Sequence, residues 1–257
     1  MIHPRKIART SRMVQIAGYL MPILFWLFVK YVFSIPDRWL PSPFAVLAAI
    51  RDINPNIVFH FLATAIRLLV GFSAGVSLGI ALGLATSRFR LLDALFTPAI
   101  QSLRSIPAAA AVPFFLLWFG FSEVGKFLLI FSTVAFNVGI AVNQIVATVP
   151  ERHAVLFHSY QKSPSDYVWY FALPHVLEKI LPTLRFSLAI VIGAEAVSEI
   201  LGSQIGLGYL IQTARATFSL HLLFLAMFLF GVLSTCGDYF LCLLWRFVVY
   251  WSPSPQS

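Results

Sequence analysis

Apolar residues run along this chain in long unbroken blocks, not in alternation. The blocks lie at Met13–Phe33, His60–Thr86, Leu92–Phe119, Gly125–Thr148, Ile180–Leu201 and His221–Tyr250. Turn-forming and polar stretches separate them: Asp52 to Pro55, Ser87 to Arg90, Gly120 to Glu123, Pro150 to Pro164 and Gly202 to Ser219. A helix that crosses a bilayer takes about 20 apolar residues, and each block is long enough. Backbone in lipid must satisfy its own hydrogen bonds, which leaves helices or closed barrels. The lack of period-two alternation excludes a barrel. The pattern predicts an all-α membrane protein with six transmembrane helices.

Arg5, Lys6, Arg9 and Arg12 precede the first block. A basic segment before an apolar run has the form of a signal peptide, but no small-x-small cleavage site follows; Ser34 to Trp39 comes next. The run is also longer than a usual signal core. The expectation is an uncleaved first span with a cytoplasmic N-terminus, Lys30 snorkelling at its far end, and Tyr31 and Trp39 in the interfacial belt.

Composition agrees with the pattern. Of 257 residues, 59% are apolar and 11% charged, against about 25% charged in a soluble domain. That excludes a disordered chain, a nucleic-acid module and a cytosolic enzyme. The net charge of +8 reflects where the basic residues fall. Six spans starting inside place Arg5, Lys6, Arg9, Arg12, Arg88, Arg90, Arg152, Lys162, Lys179, Arg185 and Arg246 on the cytoplasmic side. Lys30, Arg38, Arg51, Lys126 and Arg215 fall outside, and Arg67 and Arg104 lie within spans. The asymmetry puts both termini in the cytoplasm. Cys236 and Cys242 match no zinc or redox spacing and read as space-fillers.

Polar groups inside spans are costly and carry a functional expectation. Glu195 and Glu199 stand four apart, on one helix face, and Arg67 and Arg104 are opposite charges in neighbouring spans. One reading has Gln101, Arg104, Glu195 and Glu199 lining a pathway or its gate; the other has buried ion pairs that fix helix positions. Asn137, Asn143 and Gln144 are pathway groups or interhelical hydrogen bonders. Gly71, Gly75, Gly79 and Gly83 recur at every fourth position. They form a face that admits another helix closely, as a static packing seam or a moving one. Ser203, Gln204, Gly206 and Gly208 form an outer loop.

The longest connection runs from Thr148 to Lys179. Loops of this length in compact folds are usually functional. Short helices are expected after Pro150 and from Ser165. Tyr167, Trp169, Tyr170 and Phe171 make the second one too aromatic for a solvated loop, so it lies on lipid headgroups or docks into a soluble partner. Other motifs fail. Gly120 to Lys126 begins like a phosphate-binding loop, but Phe127 replaces the required hydroxyl residue and no strand precedes it. His153 and His158 lack the spacing of a metal site. No catalytic machinery, cofactor site or metal site is visible.

Four stretches together resemble the transmembrane permease subunit of binding-protein-dependent ABC importers, in its nitrate/sulfonate/taurine/bicarbonate branch. They are Leu40-Pro41-Ser42-Pro43 with Val46; Ala65, Arg67, Gly71, Gly79 and Gly83; Pro98, Arg104, Ile106-Pro107, Pro113 and Trp118-Phe119-Gly120; and Glu199 with Gly206-Leu207-Gly208-Tyr209-Leu210-Ile211. The resemblance implies the type I importer permease (MetI-like) fold. It would comprise one transmembrane domain over residues 1–257, with a peripheral first span at 13–33, a five-helix core at 60–250 and a cytoplasmic ATPase-coupling segment at 149–174. It also implies a bacterial inner-membrane location and a small solute, with an anion of the sulfonate, nitrate or taurine kind as the expectation. The implied partners are a cytoplasmic ATP-binding subunit, a second permease (the same chain or another), a solute-binding protein and membrane lipid. Nucleotide hydrolysis is expected in the separate subunit, and no cofactor or nucleic acid is implied.

The sequence departs from the family within the coupling segment. Leu173-Pro174 is present, but the family's Glu-Ala-Ala positions fall on Val155, Leu156 and Phe157, and its glycine on Gln161. Lys162, Ser163, Pro164, Ser165 and Asp166 complete that segment. A divergent ATPase, a heterodimer with a more typical permease, and loss of transport all accommodate this departure, and a non-transporting scaffold is the corresponding alternative function. A proton-coupled secondary transporter is a third reading, with Glu195 and Glu199 as a relay; the chain shows no inverted repeat in its support.

Overall fold

The structure, a computed structural model, describes residues 12–53, 56–149 and 164–251. These residues are helical almost throughout. In chain order they form α1 (Arg12–Val32), α2 (Pro43–Ile53), α3 (Ile57–Arg88), α4 (Arg90–Arg104), α5 (Ala108–Phe119), α6 (Glu123–Val146), α7 (Pro164–Tyr167), a π-helical turn (Val168–Ala172), α8 (Leu173–Lys179), α9 (Leu181–Gly202), α10 (Leu207–Ala216) and α11 (Leu220–Val248).

Helices α3, α6 and α11 are each long and apolar enough to cross a membrane. Two bent helix pairs are each long and apolar enough to cross only if taken as one span, and Leu20–Val32 of α1 is a shorter apolar helix. The block read as one span at Leu92–Phe119 is α4 and α5, bent by 100°. The break falls at Ser105 to Pro107 because a residue before proline is pushed out of the helical region and Pro107 cannot continue the hydrogen-bond ladder. The segment from Val168 to Lys179 meets α9 at 55°, with Pro182 in the first turn of α9. Two further helices stand where the apolar pattern gave only connections. Pro43 opens α2 as an N-terminal proline suits, and α10 fills most of the break from Gly202 to Ser219, starting within the outer loop read at Ser203 to Gly208.

The centre is the contact of α3 with α6. The buried residues of α3 form a single stripe that includes Leu68, Gly71, Phe72, Gly75, Gly79 and Gly83. Along it, Gly71 faces Ile130, Gly75 faces Val134, Gly79 faces Val138 and Gly83 faces Val142. Both numberings rise together, so the helices are parallel and one turn of α3 meets one turn of α6. A methyl on Gly79 would stand 2.7 Å from Val138 Cβ and 2.9 Å from the Ala135 carbonyl oxygen. The backbones touch, and no side chain larger than hydrogen fits. Helix α9 covers this pair from the other direction, contributing Leu188, Val191 and Ile192 to the same core.

Outside the core, the end of α1 is tied by Lys30, which donates to the Ile35 carbonyl and pairs with Asp37 at 2.9 Å. The Lys30 ammonium holds the Asp37 carboxyl below its ordinary range. The pair is therefore intact at neutral pH and is lost as pH falls through that lowered value.

Candidate functional site

His60, Thr64 and Arg67 are spaced four and three apart on α3 and share its buried face. Because α6 runs parallel, its first turn brings Glu123 and Lys126 to the same end. Helix α9 runs the opposite way and delivers its C-terminal Glu195 and Glu199 there. The 203–206 loop and the first turn of α10 close the group.

Glu199 is fully buried, and both of its oxygens are bonded. Thr64 Oγ1 and Arg67 Nη1 each donate to Oε1 at 2.7 Å, and the Gly208 backbone N–H donates to Oε2 at 2.7 Å. The carboxylate thus sits at the N-terminus of α10, where the helix dipole favours negative charge. The loop is fitted around it. Gly206 has φ +132°, and a methyl there would lie 2.3 Å from a Glu199 carboxylate oxygen, so only glycine serves. The Gly206 N–H donates to His60 Nδ1 at 3.0 Å, which places the His60 proton on Nε2. Leu207 N–H donates to Thr64 Oγ1 at 2.9 Å, and Arg67 Nη1 to the Ile205 carbonyl at 2.9 Å.

The other edge of Arg67 faces outward. Nε donates to Glu123 Oε2 at 2.5 Å and Nη2 to Oε1 at 2.8 Å, a bidentate fork. Lys126, 2% exposed, donates to Glu123 Oε1 at 3.1 Å and to Ser203 Oγ at 3.0 Å. Arg67 therefore stands between a carboxylate that is fully buried and one that is 63% exposed. Glu195, one turn before Glu199, is also fully buried, and neither of its oxygens has a hydrogen-bond partner among the described residues. The arrangement is an ion-pair lock joining α3, α6, α9 and α10.

At the opposite end of the bundle the polar contacts carry less charge. Asn143 Nδ2 donates to Thr86 Oγ1 at 3.0 Å and to Asp93 Oδ1 at 3.1 Å, joining α3, α4 and α6. Beyond it, Thr148 Oγ1 lies 3.1 Å from His175 Nε2 and accepts from Lys179 at 3.3 Å, so the two ends of the long connection meet. Among the described residues no group of three or more His, Cys, Asp or Glu side chains is arranged to hold a metal ion.

The family model of the binding-protein-dependent transport system inner membrane component matches residues 75–248. The chain belongs to this family. It is similar to a candidate aliphatic sulfonates transport permease, SsuC, of Bacillus subtilis (strain 168), with 29% identity over 93% of this chain and 89% of the relative. It is also similar to the taurine transport system permease TauC of Escherichia coli (strain K12), with 25% identity over 74% of this chain and 71% of the relative. Among solved structures, the MetNI methionine ABC transporter in an inward-facing conformation superposes with a TM-score of 0.58 at 18% identity. The match covers 72% of this chain and 94% of that one. The fold is therefore the all-helical MetI-like fold, and the chain is an inner-membrane permease component of an ABC importer.

Within this permease the residues singled out from sequence are dispersed. Glu195 and Glu199 lie together at the charged end. Gln101 and Arg104 are exposed near the end of α4, with no bond to that cluster. Asn137 is buried midway along α6, and Asn143 belongs to the opposite end. Val155, Leu156, Phe157, Gln161, Lys162 and Ser163 lie outside the described residues. Pro164, Ser165 and Asp166 form α7 with Tyr167, and Leu173 and Pro174 open α8. Glu123, Lys126, His60 and Thr64 were not among the residues chosen from sequence. Their signal was present as opposite charges three apart at a helix start, and as polar residues recurring at one face of an apolar span.

Proposed function

We propose that this permease forms the translocation pathway for a small anionic solute of the sulfonate or taurine class. It would work with a second permease, a pair of cytoplasmic ATP-binding subunits and a solute-binding protein. It lies in the bacterial inner membrane with both termini in the cytoplasm, which puts the charged cluster at the outer face and Asn143 at the inner one. Exposed apolar residues such as Ile66 and Leu69 on α3, and Phe228 and Phe247 on α11, face lipid or the second permease.

The observation that carries this reading is the family match combined with the backbone contact of α3 and α6. Two helices that touch at four successive turns move as one body. The 149–174 segment follows α6 in the chain, and His175, just past its end, bonds Thr148, just before its start. A push on that segment, made by the ATPase as ATP closes it, travels along the α3–α6 pair to the outer cluster. There Arg67, Glu123 and Glu199 hold or release α9 and α10. Glu195 and Glu199 act at this gate, whereas Gln101, Arg104, Asn137 and Asn143 face the pathway or the inner contacts. The test is affinity purification from the native membrane with mass spectrometry of what stays bound. An ATP-binding subunit is expected; its absence, under conditions that preserve a control importer, would overturn the reading.

A second reading rests on Val155, Leu156, Phe157 and Gln161 standing where the family carries Glu-Ala-Ala and glycine. Such a segment suits a heterodimer in which a more typical permease makes the main ATPase contact. Recovery of a second, different permease in the same purification is its expected result.

A further inference from the structure

A cavity of about 410 Å³ opens beside the charged cluster, between the start of α6, the end of α9 and the 203–206 loop. Its polar lining is Arg67, Glu123, Lys126, Ser203, Gln204 and Gln212. The two cations are set into the wall, with side chains 12% and 2% exposed, whereas Glu123 is 63% exposed. The counter-charge therefore stands on the solvent side of the charges it neutralises.

The bonds divide accordingly. Arg67 Nη1 is spent on Glu199 and the Ile205 carbonyl, and one Lys126 N–H on Ser203. Those contacts do not involve Glu123. If the Glu123 side chain swings out, they persist and leave Arg67 Nε and Nη2 and one Lys126 N–H aimed at the vacated space. The freed N–H groups of Arg67 and Lys126 then present positive charge to that space. The α6 N-terminus, capped by Ser122, adds to the same field. Two donors in a planar fork and a third from an ammonium match a monovalent oxyanion head group with two or three oxygens.

We infer that this cavity is a binding site for the head group of a sulfonate-class monoanion, and that Glu123 is a tethered stand-in that occupies it until such an anion displaces it. This rests on the reading of the chain as an importer permease and names the chemistry of one site on it. A tethered competitor acts at an effective concentration of the millimolar order or above, so it masks the site from weak anions and yields to one delivered at high local concentration.

The test uses the purified assembly of this chain with whatever ATPase co-purifies, titrated calorimetrically with methanesulfonate. Dimethyl sulfone serves as the uncharged analogue and chloride as the ionic-strength control. Glu123→Gln, which keeps the size of an exposed side chain and removes its charge, is expected to bind methanesulfonate about tenfold more tightly than the native assembly, without gaining affinity for chloride or the sulfone. Adding Lys126→Met to that variant is expected to remove the gain while the assembly still elutes intact. Equal affinity in the native and Glu123→Gln assemblies would overturn the inference, as would an unchanged gain after Lys126→Met. If the double variant fails to assemble, the comparison of Glu123→Gln with native still decides. An assembly that retains its ATPase but shows no methanesulfonate gain refutes the site alone, whereas the absence of any ATPase refutes the importer reading.

Discussion

The middle of the α3–α6 contact and its charged end are built on opposite principles. In the middle, glycines on α3 meet β-branched residues on α6 with backbone against side chain, and no atom is interchangeable. At the end, Arg67 is shared between two carboxylates, one buried and one open to solvent. Dry packing without side-chain freedom makes two helices a single moving part. Hydrogen-bonded charges with one exposed member make a contact that is released and remade. The difference places rigidity in the centre and exchange at the end, as the proposed gate requires.

The sharpest way to break this comparison is to fill the seam. Gly79→Leu has no space for its side chain and is expected to yield no folded protein. Gly79→Ala is expected to lose about 1–3 kcal/mol by overpacking, read as a lower melting temperature in detergent. Normal melting of either variant would mean that the helices part easily and do not move together. Between those two in size is Arg67→Met, which leaves Glu199 buried without its cation and is expected to cost roughly 3–5 kcal/mol.

The two carboxylates of α9 sharpen the contrast within the charged end. Glu199→Met strands the donors of Thr64, Arg67 and Gly208, and is expected to cost about 1–3 kcal/mol. Glu195→Met removes a buried group whose oxygens have no hydrogen-bond partner among the described residues, and is expected to leave the melting temperature unchanged or raise it. If Glu195→Met melts normally yet abolishes uptake, Glu195 serves transport at the expense of stability. Equal losses for the two variants would erase the distinction between them. Smallest is Glu123→Gln, whose pair is largely solvent-exposed on the carboxylate side; its expected cost is below about 1 kcal/mol.

Much of this was legible in the sequence. The apolar blocks at His60–Thr86, Gly125–Thr148 and His221–Tyr250 are the long helices α3, α6 and α11, and the glycine repeat marked the face of α3 that meets α6. The break between α4 and α5 was not legible as a bend, because Ile106-Pro107 sits in a block whose hydropathy never falls. Helix α10 was hidden for the converse reason: its polar and glycine residues read as loop, and its helicity depends on Glu199 and Thr64 bonding its first turn. The pairing of Arg67 with Glu199 was accessible as a set of opposite charges. The choice between Arg67 and Arg104 depended on helix direction and on which end of each helix meets which, a tertiary fact that spacing along one helix does not carry. Glu123 and Lys126 were overlooked because they stand where a break becomes a span.

The central claim is that the charged end opens when ATP closes the ATPase at the other end of the α3–α6 pair. Leu207, fully buried at the start of α10 beneath the cluster, reports it most directly. In a background with Cys236 and Cys242 replaced, Leu207→Cys in the reconstituted importer is exposed to a membrane-impermeant thiol reagent added from outside. The account predicts slow labelling at rest and labelling several times faster with ATP and vanadate. Equal rates in the two states would contradict it.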